Sequence, residues 1–98
     1  MTMTALTAHV PTEHGSRYLQ QLCKHWGHKL TVEFNADAGS VKFPNGAILT
    51  MVAQPTMLDV ELNLPEGEDA DHMKMVVASH LDRFAFREAP LTFDWSVG

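Results

Sequence analysis

Histidines and a single cysteine are the residues of this 98-residue chain with the most versatile chemistry. Three of them, Cys23, His25 and His28, fall in one short segment, YLQQLCKHWGHK at residues 18–29. Histidine nitrogen and cysteine sulfur are common zinc ligands, and a thiolate beside an imidazole is the reactive pair of many cysteine enzymes. The segment therefore has three interpretations: a metal or haem site, a nucleophile with its base, or one face of an amphipathic helix.

A metal site at this segment needs ligands from elsewhere in the chain. His25 and His28 are three residues apart and share a helix face only where the helix continues past Gly27. His80, in a later predicted helix, approaches them if the two helices pack side by side. The predicted metal set is His25, His28 and His80, with iron, haem or zinc as the cofactor. The absence of CxxC and HExxH motifs from the sequence favours the alternative, a protein without a cofactor.

Cysteine catalysis is disfavoured by the helical geometry of the same segment. Residues two apart on a helix, such as Cys23 and His25, face away from each other. Cys23 lies at the edge of the apolar arc, where we expect a small buried hydrophobic residue. The sequence also has no glycine-rich phosphate-binding motif and no convincing carboxylate pair, so a binding function is favoured over an enzyme.

Two amphipathic helices carry most of these residues. The first is predicted from Thr12, as N-cap, to about Gly27, with Glu13 in its first turn. The second begins in the acidic segment PEGEDAD and ends before Pro90. The expected buried stripes are Tyr18, Leu19, Leu22, Cys23 and Trp26 in the first helix, and Met73, Val77, Leu81, Phe84 and Ala85 in the second.

Five strands complete the predicted fold, four between the helices and one at the end. The four lie at residues 30–34, 40–43, 47–53 and 57–64, and the last at 91–97. Asn45–Gly46 is a hairpin signal, and the short connections indicate an antiparallel meander.

The predicted fold class is α+β, a two-layer sandwich in the order α-β-β-β-β-α-β with both helices on one face of an antiparallel sheet. Residues 1–10 are predicted to be a flexible N-terminal arm, and residues 11–98 a single domain.

The strand predicted at residues 47–53 is apolar on both faces, although a sheet that helices cover on one face needs apolar residues on that face only. Ile48 and Val52 lie on the face opposite to Leu49 and Met51, and Met57 adds to the same surface. The three residues Ile48, Val52 and Met57 are therefore a candidate dimer interface. The alternative is ordinary exposure of apolar atoms.

Composition restricts the partners and the compartment. The net charge of −5 and the lack of any Lys/Arg run disfavour a nucleic-acid partner. The sequence contains neither a signal-peptide pattern nor an apolar run long enough for a membrane span, and one cysteine excludes an internal disulfide. We therefore expect a cytoplasmic protein without a membrane partner.

The polar shoulders of the two helices are the remaining candidate for function. Residues on these boundaries either border the core or line a groove for a small molecule or a protein partner. The candidate binding residues are His14, Tyr18, His25, His80 and Arg87.

Two motifs give the chain a resemblance to a known family. The segments HGSRYLQQLCKHWGHK and HLDRFAFRE, followed by LTFDW, resemble the bacterial family named domain of unknown function 2218 over nearly the whole chain. The resemblance assigns no activity. It implies a small bacterial protein. It also implies a link to iron-siderophore metabolism, because similar domains are joined to siderophore-interacting flavoreductases.

Three functions follow as expectations. The first is a cytoplasmic domain that binds a small ligand or a protein partner, linked to iron-siderophore metabolism. The alternatives are a histidine-ligated metal or haem protein and a purely structural homodimer.

Overall fold

The computed structural model describes residues 3–97, which form six strands and two helices in the order β-α-β-β-β-β-α-β. The elements are β1 (Met3–Pro11), α1 (Gly15–Trp26), β2 (Thr31–Phe34), β3 (Ala38–Lys42), β4 (Ile48–Ala53), β5 (Met57–Pro65), α2 (Ala70–Phe84) and β6 (Ser96–Val97). The α+β class predicted from the sequence is confirmed, with one more strand than expected.

All strands join one antiparallel sheet in the order β2-β3-β4-β5-β1-β6. The four consecutive strands β2, β3, β4 and β5 form the predicted meander. Its β3–β4 hairpin turns at Gly46, whose φ of +91° is accessible to glycine at little cost, and Asn45 Oδ1 accepts a hydrogen bond from the Ala47 N–H at 2.9 Å.

The prediction of a flexible arm at residues 1–10 is wrong for the part that the structure describes. β1 pairs with β5 along its whole length, from Met3 opposite Pro65 to Pro11 opposite Met57. The period-two alternation of Leu6, Ala8 and Val10 buries all three side chains. Their alternation is short and lies among threonines and alanines, so its apolar signal is weak. Met1 and Thr2 lie outside the described residues.

The core lies on one face of the sheet. The register places Val41, Leu49, Leu62 and Leu6 side by side on four neighbouring strands, and all four are buried. The buried stripes of α1 and α2 belong to the same hydrophobic cluster. Both helices therefore cover this face, as the sequence predicted, and the opposite face has no covering layer within residues 3–97.

The start of α1 differs from the prediction. The helix begins at Gly15 with His14 at the N-cap position, so Thr12 is not the N-cap and Glu13 lies before the first turn. Thr12 Oγ1 accepts a hydrogen bond from the His14 N–H at 3.1 Å and donates one to Glu88 at 2.9 Å. The hydroxyl thus has a distant partner, which local capping rules cannot foresee.

The end of α1 and the start of α2 follow the sequence signals. Gly27 follows the last residue of α1. At the start of α2, Asp69 is the N-cap, and its carboxylate accepts a hydrogen bond from the His72 N–H at 3.1 Å.

The last predicted strand, at 91–97, is too long. Only Ser96 and Val97 pair with β1, opposite Thr7 and Leu6. Before them, the Leu91 N–H donates to Asp82 at 2.9 Å, so a side chain of α2 takes the place of a strand partner. Alternating apolar residues also suit an irregular segment that packs on a core, which is why the pattern alone overestimates the strand.

Neither helix in residues 3–97 combines the length and the apolar character that a membrane span requires.

Candidate ligand groove and histidine pair

Glu88 joins the two sequence motifs in space. It follows α2, and its Oε2 accepts hydrogen bonds from the Tyr18 hydroxyl and from Thr12 Oγ1. The hydrogen bond from Tyr18 is the largest cause that holds the pKa of Glu88 below its usual value. Burial, with Glu88 as a further cause, raises the pKa of Tyr18. The contact fixes the segment after α2 against the first half of α1.

A groove lies beside this contact, between α1 and the end of α2. Its volume is about 220 Å³, and it is more enclosed than the shallow hollow that runs along the exposed side of α1 from Glu13 to Lys24. Its lining residues are Arg17, Tyr18, Gln21, Phe84, Phe86 and Arg87.

The groove combines exposed aromatic surface with positive charge. Phe86 is 72% exposed, although it is a large apolar side chain, and the Arg87 guanidinium lies 5.7 Å from the centre of its ring. The ion pairs among residues 3–97 join His9 to Asp59 and Lys74 to Asp71, so Arg17 and Arg87 have no carboxylate partner there. The groove can therefore hold an apolar or aromatic group that carries a negative charge.

A histidine pair lies where α1 and α2 meet. The rings of His25 and His80 are 5.8 Å apart between centres, and the ring of Trp26 is 4.9 Å from that of His80. His80 Nδ1 lies 2.7 Å from the Val76 carbonyl oxygen. Since a carbonyl only accepts, Nδ1 carries the proton, and the lone pair of the neutral ring is on Nε2.

The predicted metal set of three histidines is not assembled. His28 lies in the exposed turn after α1 and makes no ring contact with His25 or His80, because the helix ends at Trp26. No group of three or more His, Cys, Asp or Glu side chains within residues 3–97 is arranged to hold a metal ion.

The five candidate binding residues do not share one pocket. Tyr18 and Arg87 line the groove, and His25 and His80 form the pair. Phe84 connects the two regions, since it lines the groove and its ring lies 5.8 Å from that of His25. His14 packs edge-on against Tyr18 at 6.1 Å and lines the neighbouring hollow along α1, which shares Arg17 and Gln21 with the groove.

Sequence reasoning missed the roles of several residues here. Arg17 and Gln21 lie on the polar face of α1, and Glu88 lies in the second motif, so helical periodicity gives none of them a binding role. The signal that could have found them is the specificity of the two motifs. Arg17 and Tyr18 belong to the first motif, and Phe86, Arg87 and Glu88 belong to the second. Amphipathicity alone does not require these particular residue types.

Cys23 is a buried structural residue, as predicted. It is fully buried, and burial raises the pKa of its thiol to about 11. At neutral pH the thiol is therefore protonated and a poor nucleophile.

The candidate dimer residues lie on the uncovered face of the sheet. Val52 is 43% exposed, and Ile48 and Met57 are half-buried. Thr50 separates Ile48 from Val52 along β4, and Asp59 is opposite Val52 on β5, so the face is mixed rather than continuously apolar. The dimer interface stays a prediction.

The fold and the groove define a class: a small α+β domain whose two helices share one face of an antiparallel sheet and leave a cationic, aromatic groove between them. The family model described as "Uncharacterized protein conserved in bacteria (DUF2218)" matches residues 7–96, so the chain belongs to this family. The resemblance seen in the sequence motifs is thereby confirmed. No curated protein matches the chain.

A solved structure supports the fold. The chain is similar to PA4090 from Pseudomonas aeruginosa, known from an NMR structure, with 38% sequence identity and a TM-score of 0.77. The match covers 95% of each chain.

Proposed function

We propose that this protein is a non-enzymatic, cytoplasmic binding domain that holds a small aromatic or apolar organic anion in the groove between α1 and the end of α2. The observation that carries the proposal is the pair of guanidiniums, Arg17 and Arg87, at a groove with exposed phenyl surface and no acidic lining residue.

Charge supports an anion as the ligand. The whole chain has a net charge of −5, yet the groove lining is positive. A guanidinium donates two parallel hydrogen bonds to a carboxylate, and Phe84 and Phe86 offer ring surface for the apolar part of the ligand. Glu88 is next to Arg87 in sequence but does not line the groove, and its Oε2 accepts hydrogen bonds from Tyr18 and Thr12.

Size sets the scale of the ligand. Pockets for drug-sized ligands have volumes of about 300–1,000 Å³. The groove, at about 220 Å³, suits a group of one aromatic ring with its carboxylate, or one such group of a larger molecule that extends into solvent.

The link to iron-siderophore metabolism belongs to this proposal through the family resemblance. A ferric catecholate complex is a large anion with aromatic rings at its surface, so one of its rings suits the same groove. A protein partner that presents a carboxylate beside an aromatic side chain would use the same chemistry.

The test is a titration of the full chain with benzoate, monitored by two-dimensional amide NMR. We expect chemical-shift changes at Arg17, Phe86 and Arg87, and much smaller changes with the neutral analogue benzyl alcohol. Arg87→Gln or Arg17→Gln should weaken benzoate binding by about ten- to a hundredfold, the loss of one charge-assisted interaction.

Arg83→Gln is the matched control, because Arg83 is an exposed arginine of α2 that does not line the groove. It should leave the affinity unchanged. Equal binding of benzyl alcohol, or equal weakening by Arg83→Gln, would refute the proposal. A ferric catecholate complex that shifts the same residues more strongly than benzoate would support the siderophore link, and one that shifts none of them would remove it.

A further inference from the structure

We infer that His25 and His80 form a two-histidine site for a divalent transition-metal ion, with Cu²⁺ the tightest. This site is separate from the anion groove and does not depend on the proposed function. It replaces the three-histidine set expected from the sequence.

The distance between the rings suits a shared ion. In zinc sites a ring nitrogen lies about 2.0–2.1 Å from the metal, which puts the ring centre roughly 3 Å from it. Two rings on one ion then have centres roughly 5 Å apart at a tetrahedral angle and roughly 6 Å apart when the two ligands are opposite each other. The observed separation of His25 and His80 is 5.8 Å, with the ring planes tilted by 43°.

The hydrogen bonding of His80 prepares it as a ligand. Metal-binding histidines usually donate their second ring N–H to a carbonyl or a carboxylate, which fixes the tautomer. The Nδ1–H of His80 donates to the Val76 carbonyl at 2.7 Å, and the ring also packs against Trp26. Nε2 is thus the nitrogen left for a metal, on a ring whose orientation is already fixed.

His25 supplies the second ligand from the other helix. It is exposed in the last turn of α1, so it binds an ion without being uncovered first, and its ring also contacts Phe84. The remaining coordination positions belong to water. For nitrogen ligands, affinity rises toward Cu²⁺ along the divalent series, so copper is the most sensitive probe.

The experiment is titration of the full chain with Cu²⁺ at pH 7.5, with binding measured by calorimetry and the ligand nitrogens by electron paramagnetic resonance. We expect one site whose nitrogen couplings indicate two imidazoles. Bound Cu²⁺ should also quench the fluorescence of Trp26, which lies beside His80.

His25→Ala and His80→Ala should each lower the copper affinity by about tenfold or more, since losing a ligand costs at least as much as losing the partner that orients one. His72→Ala is the control, because His72 is an exposed histidine in the first turn of α2. It should leave the affinity unchanged.

Two results would overturn the inference. The first is copper binding of undiminished affinity in both His25→Ala and His80→Ala, which would place the ion at the amino terminus or another histidine. The second is a loss in His28→Ala together with none in His80→Ala, which would place the ion on α1 alone. If His80→Ala fails to fold, His25→Ala decides the question, because His25 is exposed.

Discussion

At the residue scale, Gly39 and Cys23 show how closely α1 approaches the sheet. A Cβ added at Gly39 would lie 2.8 Å from Cys23 Sγ and 3.1 Å from the Phe34 Cβ. Real Cβ atoms essentially never make the shorter contact, so a side chain at position 39 forces the Cys23 sulfur to move and Phe34 to give way slightly. The small cysteine and the glycine together permit this helix–sheet distance.

We expect Gly39→Ala to lower the free energy of unfolding by about 1–3 kcal/mol, the usual cost of overpacking a core. Urea denaturation monitored by circular dichroism measures it. The double variant Cys23→Ala/Gly39→Ala, which removes the sulfur, should be less destabilised than the sum of the two single variants. Strict additivity would contradict the role of the sulfur contact.

At the element scale, the hydrogen bonds of Glu88 connect α1 with the segment after α2. Tyr18 is buried, and Thr12 is the one buried polar residue among those described. Their hydroxyls donate to the same carboxylate oxygen, which holds Phe86 and Arg87 at the groove. α2 ends at Phe84, so this side-chain contact and the backbone turn of residues 85–89, rather than the helix, position the end of the groove.

Glu88→Ala should lower the free energy of unfolding at pH 7 by about 1–2 kcal/mol, because two hydrogen bonds to a partly exposed carboxylate are lost. It should also weaken benzoate binding, since Arg87 loses its position. Glu88→Gln, whose amide oxygen accepts the same hydrogen bonds, should restore most of both. Glu66→Ala, at an exposed glutamate outside this contact, is the control and should change neither.

The pH dependence of stability follows from the direction of the pKa shift of Glu88. The folded-state pKa of Glu88 is below its ordinary value of 4.5, so its stabilisation is present above pH 4.5 and is lost as the pH falls through the folded-state value. The difference in unfolding free energy between the wild type and Glu88→Gln should therefore shrink in acid. A constant difference from pH 7 to pH 3 would show that the charge of Glu88 does not contribute.

At the scale of the whole molecule, β1 is an internal strand rather than an arm. It lies between β5 and β6, and it contributes Leu6, Ala8 and Val10 to the core. Without β1, the nine residue pairs between β1 and β5 are lost, and β6 has no neighbouring strand. The buried side chains of β5 also lose their neighbours Leu6, Ala8 and Val10 in the core.

A chain that begins at Pro11 should therefore not fold cooperatively, and should show neither the near-ultraviolet circular dichroism nor the sharp urea transition of the full chain. Thr7→Ala, which alters the same strand on the uncovered face, should retain both signals. A cooperative transition in the truncated chain would mean that residues 1–10 are dispensable, as the flexible-arm prediction holds.

Much of the fold could be predicted because its signals are local. Periodicity predicts the meander and the buried stripes of both helices, although Phe84 is half-buried and Ala85 lies just after α2. The backbone freedom of glycine predicts the turn at Gly46. The sequence did not predict β1, because threonine and alanine give only a weak apolar alternation. Its place in the sheet also depends on β5, a partner far along the chain.

The candidate site could not be predicted in full, because its residues come from parts of the chain that only the tertiary structure brings together. The sequence alone determined that Tyr18, His25 and His80 lie where the apolar and polar faces of their helices meet, because that position depends only on spacing within one helix. Arg87, which the sequence placed on the second helix, lies in the turn after α2. Only the packing of α1 against α2 decided that His80 meets His25 and not His28, and that Tyr18 reaches Glu88. Residue spacing fixes angles around one helix axis, whereas the distance between two helices depends on the volumes of all the side chains packed between them.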